Sequence, residues 1–113
     1  MDAREVTRAV SNLVVNAIRH TPAGGTVRVE VTRSDGWSSV HVADECGGIP
    51  ADQLPHLFEP GWRASQARGV GDGAGAGLGL AIAKAVADAH RGTLAVHNTA
   101  AGCDFELRLP ERA

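Results

Sequence analysis

The sequence lacks an excess of charge of one sign and has few cysteines. Its 113 residues carry 11 lysines and arginines against 13 aspartates and glutamates, a formal net charge of −2. Because no basic stripe is present, nucleic acid is not expected as a direct partner. The two cysteines, Cys46 and Cys103, are too few for a disulfide framework and lack metal-ligand spacing, although a single disulfide between them stays open. This usage is typical of a reducing cytosol.

Long apolar runs are also missing. No run approaches the roughly 18 residues of a membrane-spanning helix, and the charged start "MDAREVTR" is unlike a secretory signal. We therefore expect a cytoplasmic chain without direct membrane contact. The length predicts one domain, residues 1–113, with enough chain to bury a core.

The first half of the chain predicts a helix and a hairpin. Apolar residues at helical spacing cover residues 6–18, and "HTPAGG" ends the helix. The predicted stripe consists of Val6, Ala9, Val10, Leu13, Val14, Ala17 and Ile18. Beyond it, "TVRVEVT" and "WSSVHVA" alternate apolar and polar residues around the turn "RSDG". This pattern predicts two paired strands whose valines lie on one face, Val27, Val29 and Val31 in the first and Val40 and Val42 in the second.

The second half repeats this order of elements. A short helical turn is expected in "ADQLPHLF", and "GTLAVHN" and "CDFELRLP" predict another hairpin around "TAAG". Helix, two strands, mobile loop, helix and two strands together predict an α/β two-layer sandwich. Its antiparallel or mixed sheet would carry the helices on one face.

A glycine-rich loop leads into the second helix, with glycines at positions 69, 71, 73, 75, 77 and 79. The spacing fits neither a dinucleotide fingerprint nor a mononucleotide loop. Glycines still allow backbone N–H groups to approach a ligand, and a helix N-terminus favours an anion; a mobile linker is the alternative. In the helix that follows, the predicted apolar stripe consists of Leu78, Ile82, Ala85, Val86 and Ala89.

Polar residues on the first helix share one side. Asn12, Asn16 and Arg19 are four and three residues apart and are predicted to project away from the apolar stripe. They form either a solvated polar face or a site in which amide oxygens bind Mg²⁺ and Arg19 meets phosphate. Asp44, at a strand end beside glycines, is either a turn residue or an acceptor for a ligand N–H group.

Four segments, taken in order, resemble one known family. "NLVVNAIRHTP", "DECGGIP", "LFEPGWR" and "GAGLGLAIAK" are similar to the N box, first glycine box, F box and second glycine box of the sensor histidine kinase catalytic domain. That domain belongs to the GHKL ATPase superfamily, which includes gyrase, Hsp90 and MutL. The resemblance implies a Bergerat-type α/β sandwich with a mixed sheet and a flexible ATP lid, here residues 60–76.

The resemblance also implies roles for residues at the phosphate end. Asn16 matches the Mg²⁺ ligand, Asn12 supports the same polar network, and Arg19 stands near the phosphates. Arg63 of the F box matches an arginine that approaches the γ-phosphate or the partner domain. The triphosphate would be cradled by backbone N–H groups around Gly75, Gly77, Leu78 and Gly79.

Other residues match the adenine end of the family site. Asp44 matches the carboxylate that accepts the exocyclic amine of adenine, a contact that guanine lacks because it presents a carbonyl there. His20 takes the place of an aromatic residue beside the base. Gly48 lets the loop pass close to the base, and the adjacent Ile49 is counted among the nucleotide-binding residues.

By resemblance, the chain binds Mg·ATP and transfers the γ-phosphoryl group to a histidine of a separate phosphotransfer and dimerisation domain, with the response regulator as an indirect partner. The full-length kinase is then anchored in the inner or plasma membrane. Although "RHTP" contains a histidine, His20 lies at the end of the N-box helix and is rejected as the phosphorylated residue. The alternatives are a protein-serine kinase of the anti-sigma-factor type and a degenerate nucleotide-binding module without catalysis.

The first glycine box departs from the family pattern. Cys46 stands where the family has its first glycine, and Gly47 where it has a proline. If the backbone at Cys46 has a positive φ, a non-glycine residue is strained there by about 1 kcal/mol. Replacing Cys46 by glycine would then leave ATP binding at least as tight.

Overall fold

The chain folds into two layers, as the sequence predicts. The computed structural model describes residues 2–60 and 76–111. Two helices pack against one face of a four-stranded sheet, with a short 3-10 helix, Leu54–His56, between β2 and α2. The elements are α1 (Ala3–His20), β1 (Arg28–Ser34), β2 (Trp37–Asp44), α2 (Ala76–Ala89), β3 (Thr93–Asn98) and β4 (Cys103–Pro110).

Helix α1 is longer than the apolar stripe predicts. Asp2 caps it, because its carboxylate accepts hydrogen bonds from the backbone N–H groups of Arg4 and Glu5. The fully buried residues of α1 are Ala9, Leu13 and Ala17, and Val6, Val10 and Val14 pack partly against the core. Ile18, predicted on the stripe, is 60% exposed because the buried face is a narrow i, i+4 row.

The sheet has the strand order β1-β2-β4-β3, and its three pairings are all antiparallel. Of the antiparallel and mixed sheets that the sequence allows, the described strands form the antiparallel one. Asp35 and Gly36 form the turn between β1 and β2 with φ of 55° and 82°, as a two-residue hairpin turn requires. The central strands β2 and β4 supply the large core residues Val42, Phe105 and Leu107.

Strand β1 departs from the expected burial. Val29 and Val31 pair with Val42 and Val40, so they lie on the helix side of the sheet, yet they are 48% and 61% exposed. Val27, just before the strand, is half-buried. The alternation thus predicts the side of the sheet on which the valines lie. Whether they are buried depends on whether a helix packs over them, and α1 packs over β2 rather than over this edge strand.

Helix α2 buries a different stripe from the one predicted. Its buried residues are Leu80, Ala83, Val86 and Ala87, whereas Leu78 is 49% exposed and Ala85 and Ala89 are exposed. Only Val86 belongs to both sets, and Ile82 is half-buried. Because apolar residues occupy most positions of this helix, periodicity alone does not select the face; packing against α1, β3 and β4 does.

Some predictions fall beyond the described residues. Residues 61–75, which include Arg63, Gly75 and most of the expected ATP lid, lie outside the part of the chain that the structure describes. Within residues 2–60 and 76–111, neither helix has the length and apolar character needed to cross a membrane.

Candidate functional site

Asp44 lies at the end of β2, opposite Cys103 of β4, and only 3% of its surface is exposed. Its Oδ1 accepts hydrogen bonds from the backbone N–H groups of Cys46 at 3.1 Å and Cys103 at 3.2 Å. The bond to Cys46 is the Asx turn that the turn-residue interpretation expects. Oδ2 accepts a hydrogen bond from the Cys103 thiol at 3.3 Å and none from a backbone N–H group of residues 2–60 or 76–111. Oδ1 therefore holds the turn, while Oδ2, which accepts from one thiol, has capacity for a second donor.

The loop after β2 places its positive φ angles on glycines. Gly47 and Gly48 have φ of 88° and 105°, a region that side chains other than glycine adopt only with strain. Among the described residues, Asp35 and Arg91 are the non-glycine residues with positive φ. Cys46 is therefore unstrained, and the strain hypothesis for it is wrong. The left-handed turn lies one residue further along the chain, where this sequence has two consecutive glycines.

Two side chains anchor this loop. Asn98 of β3 accepts a hydrogen bond from Ile49 N–H at 2.8 Å and donates one to the Ile49 carbonyl at 2.9 Å. Thr21, the residue that ends α1, accepts one from Glu45 N–H at 3.1 Å. The half-buried His20 directly precedes Thr21, so the end of α1 is held beside the strand end that carries Asp44.

Gly102 is a site residue that the sequence does not point out. A Cβ built on it would lie 2.6 Å from the backbone nitrogen of Cys46 and 2.8 Å from Oδ1 of Asp44. A side chain at this position would thus push against the two groups that orient the carboxylate. The available signal, a glycine in the turn "TAAG", is that of an ordinary hairpin; only the strand pairing brings Gly102 and Asn98 to Asp44.

Asn12 faces α2 rather than solvent. It is half-buried, and a Cβ built on Gly79 of α2 would lie 3.8 Å from its Oδ1. Its Nδ2 is buried and has no hydrogen-bond partner among the described residues. The prediction that Asn12 projects away from the packed side of α1 is therefore wrong, because α2 crosses that side. A buried, unpaired amide costs about 1–3 kcal/mol, which points to a ligand that would satisfy it.

The other candidate site residues of α1 follow Asn12 along the helix. Asn16 is half-buried one turn further on, and Arg19 is exposed near the C-terminal end. From Asn12, beside α2, to Thr21, beside the Asp44 strand end, α1 advances roughly 13 Å. A ligand that lies along this helix could thus be held at one end by Asp44 and at the other by the first turn of α2.

The first turn of α2 offers backbone donors. The helix begins at Ala76, so the N–H groups of its first three residues, Ala76, Gly77 and Leu78, have no acceptor within the helix, and Gly79 follows directly. No acidic residue lies in this turn to cap them, and the helix dipole adds partial positive charge. Leu78 is half-exposed and Gly79 is half-buried, so this part of the turn is accessible, which suits it to an anion.

Two free thiols stand beside Asp44. The Sγ atoms of Cys46 and Cys103 are 3.7 Å apart, and neither cysteine forms a disulfide. Burial, followed by the negative charge of Asp44, raises the pKa of the Cys103 thiol far above its ordinary value of 9.0. Burial also raises the pKa of Cys46, against the lowering effect of a hydrogen bond from Gly48 N–H. Both residues are therefore neutral thiols at neutral pH.

Comparison with known proteins identifies the family. Residues 1–113 match the model of the histidine kinase-, DNA gyrase B- and HSP90-like ATPase family, and the chain belongs to it. It is 40% identical over 114 residues to the sensor histidine kinase CusS of Escherichia coli O157:H7 and 39% identical over 112 residues to the histidine-protein kinase AfsQ2 of Streptomyces coelicolor. These matches cover 98% of this chain but 23% and 20% of the relatives, so the chain spans about a fifth of their length.

Solved structures agree with this assignment. The mycobacterial sensor histidine kinase MprB superposes with a TM-score of 0.84 at 34% identity, over 97% of this chain and 74% of that one. Full-length ShkA, solved in complex with AMPPNP, superposes with a TM-score of 0.78 at 27% identity, over 94% of this chain and 21% of that one. The predicted family and its two-layer fold are thus confirmed.

Proposed function

We propose that this chain binds Mg·ATP and presents the γ-phosphoryl group to a histidine on a separate dimerisation domain in two-component signalling. The response regulator is then an indirect partner. The observation that carries the proposal is the buried Asp44 carboxylate: two backbone N–H groups donate to Oδ1, whereas among the described residues only the Cys103 thiol donates to Oδ2, so Oδ2 can accept from a further donor. Family membership and the AMPPNP complex of ShkA support nucleotide binding.

At the adenine end, Oδ2 of Asp44 is the proposed acceptor for the exocyclic amine. Because Oδ1 is already held by Cys46 and Cys103, the carboxylate is oriented before any ligand binds and loses little conformational freedom on binding. Guanine would present a carbonyl to this oxygen, which leaves two acceptors facing each other. His20, Gly48 and Ile49 are proposed to line the base, since they stand on the two segments tied to this strand end.

At the phosphate end, the open first turn of α2 is proposed to bind the triphosphate. The N–H groups of Gly77, Leu78 and Gly79 are its donors, joined by Gly75 from the preceding loop. The buried Nδ2 of Asn12 is a further donor next to this turn, and a phosphate oxygen would supply the acceptor that it lacks among the described residues. The site residues therefore fit a nucleotide at its adenine end and at its phosphate end.

Helix α1 also carries a residue that suits Mg²⁺. An amide oxygen is a ligand that Mg²⁺ accepts, and Asn16, half-buried one turn after Asn12, is the residue proposed to supply it. Bound Mg²⁺ would neutralise phosphate charge. Arg19 is proposed to add positive charge to the same end, and Arg63 to act at the γ-phosphate or toward the partner domain.

The chain's own contribution to phosphoryl transfer is positioning and charge neutralisation, and the attacking imidazole belongs to another domain. The isolated chain should therefore not label itself with γ-phosphate, whereas a cognate dimerisation domain should be labelled in trans. Acid lability of that label distinguishes phosphohistidine from the phosphoserine of an anti-sigma-factor-type kinase. Because the relatives compared above are histidine kinases, histidine is the favoured acceptor.

Calorimetry with Asp44→Asn tests the adenine assignment. The asparagine keeps an oxygen for the N–H groups of Cys46 and Cys103 but replaces Oδ2 with a donor. We expect ATP affinity to fall about 10- to 100-fold, as for the loss of a hydrogen bond to a charged group, and the preference for ATP over GTP to shrink. The matched control is Asp52→Asn in the exposed loop beyond, which should bind like the parent. Equal binding of ATP and GTP by the parent would overturn the assignment.

A further inference from the structure

Three metal-ligating side chains meet at the end of the central strands. Asp44 closes β2, Cys46 follows two residues later, and Cys103 opens β4 directly opposite Asp44. The two Sγ atoms and a carboxylate oxygen of Asp44 all lie within 4.8 Å of one another. The nucleotide proposal uses only Asp44 of these three, so the paired thiols remain without a function.

Two of the three ligand separations are close to those of a tetrahedral metal site. With Zn–S bonds of about 2.3 Å and Zn–O bonds of about 2.1 Å, two tetrahedral ligands are separated by about 3.8 Å for a sulfur pair and about 3.6 Å for sulfur and oxygen. The Sγ atoms of Cys46 and Cys103 are 3.7 Å apart. The Cys103 Sγ is 3.3 Å from Oδ2 of Asp44. Small side-chain shifts would thus place one ion in contact with all three ligands.

Neighbouring groups hold these ligands as outer-shell partners do in metal sites. Oδ1 of Asp44 is fixed by two backbone N–H groups, which leaves Oδ2 as the ligand oxygen. The N–H group of Gly48 donates to Cys46 Sγ at 3.3 Å, a contact that stabilises a thiolate. Cys46 is only half-buried, so an ion can enter from the side of the loop.

We infer that Asp44, Cys46 and Cys103 form a binding site for a thiophilic divalent cation, with Zn²⁺ as the ion that fits best. Two sulfurs and one carboxylate oxygen suit Zn²⁺ better than Mg²⁺, which prefers oxygen ligands in octahedral geometry. Binding replaces the two S–H protons by metal–sulfur bonds and releases them to solvent, without oxidation or reduction.

Occupancy of this site has a consequence that rests on the proposed function. Oδ2 of Asp44 cannot both bind the cation and accept the adenine amine, so metal and adenine should compete. Such a site would make nucleotide binding sensitive to the concentration of free thiophilic metal. Mg²⁺, which is proposed to act through Asn16, should not compete.

Cobalt titration of the complete chain under reducing conditions tests the metal site directly. Co²⁺ reports thiolate coordination by a charge-transfer absorption that carboxylate or histidine binding does not produce. We expect this band in the parent, its removal by Zn²⁺, and at least about tenfold weaker binding in both Cys46→Ser and Cys103→Ser. The control is the double substitution His41→Ala, His97→Ala on the opposite face of the sheet, where these histidines contact Asp104. It should keep the band.

Failure of the metal site and failure of nucleotide binding give different results. Absence of the charge-transfer band, with both thiols free by titration, overturns the metal site whatever the nucleotide data show. Adenosine is the probe for competition, because it lacks phosphates that chelate metal; its affinity should fall when Zn²⁺ saturates the parent but not Cys103→Ser. Unchanged adenosine affinity at saturating Zn²⁺ overturns the shared use of Asp44. If metal-free protein binds no ATP or adenosine while the band is present, the nucleotide proposal fails, and the competition with it.

Discussion

The side chain of Asn98 forms hydrogen bonds with both backbone groups of Ile49, accepting from its N–H group at 2.8 Å and donating to its carbonyl at 2.9 Å. This pair joins β3 to the loop that follows Asp44. Asn98→Ala should lower the free energy of unfolding by about 1–2 kcal/mol, as expected for two hydrogen bonds, and should weaken ATP binding because the loop loses its anchor. Urea denaturation and calorimetry measure the two effects.

Asn98→Asp is the matched variant for this contact. It keeps the acceptor for Ile49 N–H but turns a carboxylate oxygen toward the Ile49 carbonyl, so two acceptors face each other and both stability and ATP affinity should fall at least as much as with alanine. Parent-like ATP affinity in Asn98→Ala would show that the anchor contributes nothing to the site.

Gly102 tests how closely the site is packed. Gly102→Ala should weaken ATP binding more than tenfold, because the new Cβ would press on the backbone nitrogen of Cys46 and on Oδ1 of Asp44. Gly36→Ala is the control: φ is 82° there and no atom lies within 4 Å of the added Cβ. That change should cost about 1 kcal/mol of stability and leave affinity unchanged. Equal affinities for the two variants would contradict the steric role of Gly102.

Cys46→Gly should bind ATP more weakly than the parent, by a few-fold. Cys46 has no positive φ to relieve, packs partly against the core and accepts a hydrogen bond from Gly48 N–H. Glycine removes these contacts and adds freedom to the unbound loop. Titration of both proteins with the same ATP analogue measures the difference. Binding by the glycine variant that is as tight as the parent's would show that these contacts contribute nothing to the nucleotide site.

The sequence predicts much of the fold because its local patterns are unambiguous. Alternating valines and the turn around Asp35 and Gly36 specify the first hairpin, and the stripe through Leu13 specifies α1. The buried face of α2 is not predictable in this way, since an alanine-rich helix has apolar residues on several sides. Exposure of Val29 and Val31 likewise depends on what covers the edge strand, which no local pattern encodes.

The site residues that lie within a sequence motif could be predicted from the sequence. Those that strand pairing brings to the site could not. Asp44 and Asn12 stand in segments that resemble family boxes. Cys103, Asn98 and Gly102 lie more than 50 residues after Asp44 and reach it only through the β2–β4 and β3–β4 pairings. Metal-ligand spacing along the chain could not reveal the two cysteines, because strand register, rather than sequence distance, brings their sulfurs together.

The Cys103 thiol should make stability fall at alkaline pH. Its pKa is raised in the folded protein from an ordinary value of 9.0, so above about pH 9 the unfolded chain binds fewer protons than the folded one. The free energy of unfolding then decreases with pH, by at most about 1.4 kcal/mol per pH unit from this group. Few other groups titrate in this range: the sequence has no tyrosine and a single lysine, Lys84, and Cys46, whose pKa burial also raises, adds a slope of the same sign.

Urea denaturation from pH 7 to 10.5 measures this slope. Cys103→Ser should lower stability at every pH but decline less steeply above about pH 9, since the hydroxyl does not ionise there. The comparison uses the slope, so a constant loss from altered packing does not affect it. Identical slopes for parent and variant would show that Cys103 ionises in the folded protein as it does in the unfolded chain.

Replacing Asn12 by leucine should raise the stability of the protein and lower its affinity for ATP. Its Nδ2 is buried without a hydrogen-bond partner among the described residues, beside Gly79 in the first turn of α2. Asn12→Leu removes this unpaired donor and adds apolar contact between the helices, so the free energy of unfolding should rise by about 1 kcal/mol. The same change removes the donor proposed for a phosphate oxygen, and ATP affinity should fall about tenfold. Ser11→Leu, on the exposed side of α1, is the control that should change neither quantity by much. A leucine variant that is both less stable and equally able to bind ATP would assign Asn12 to helix packing alone.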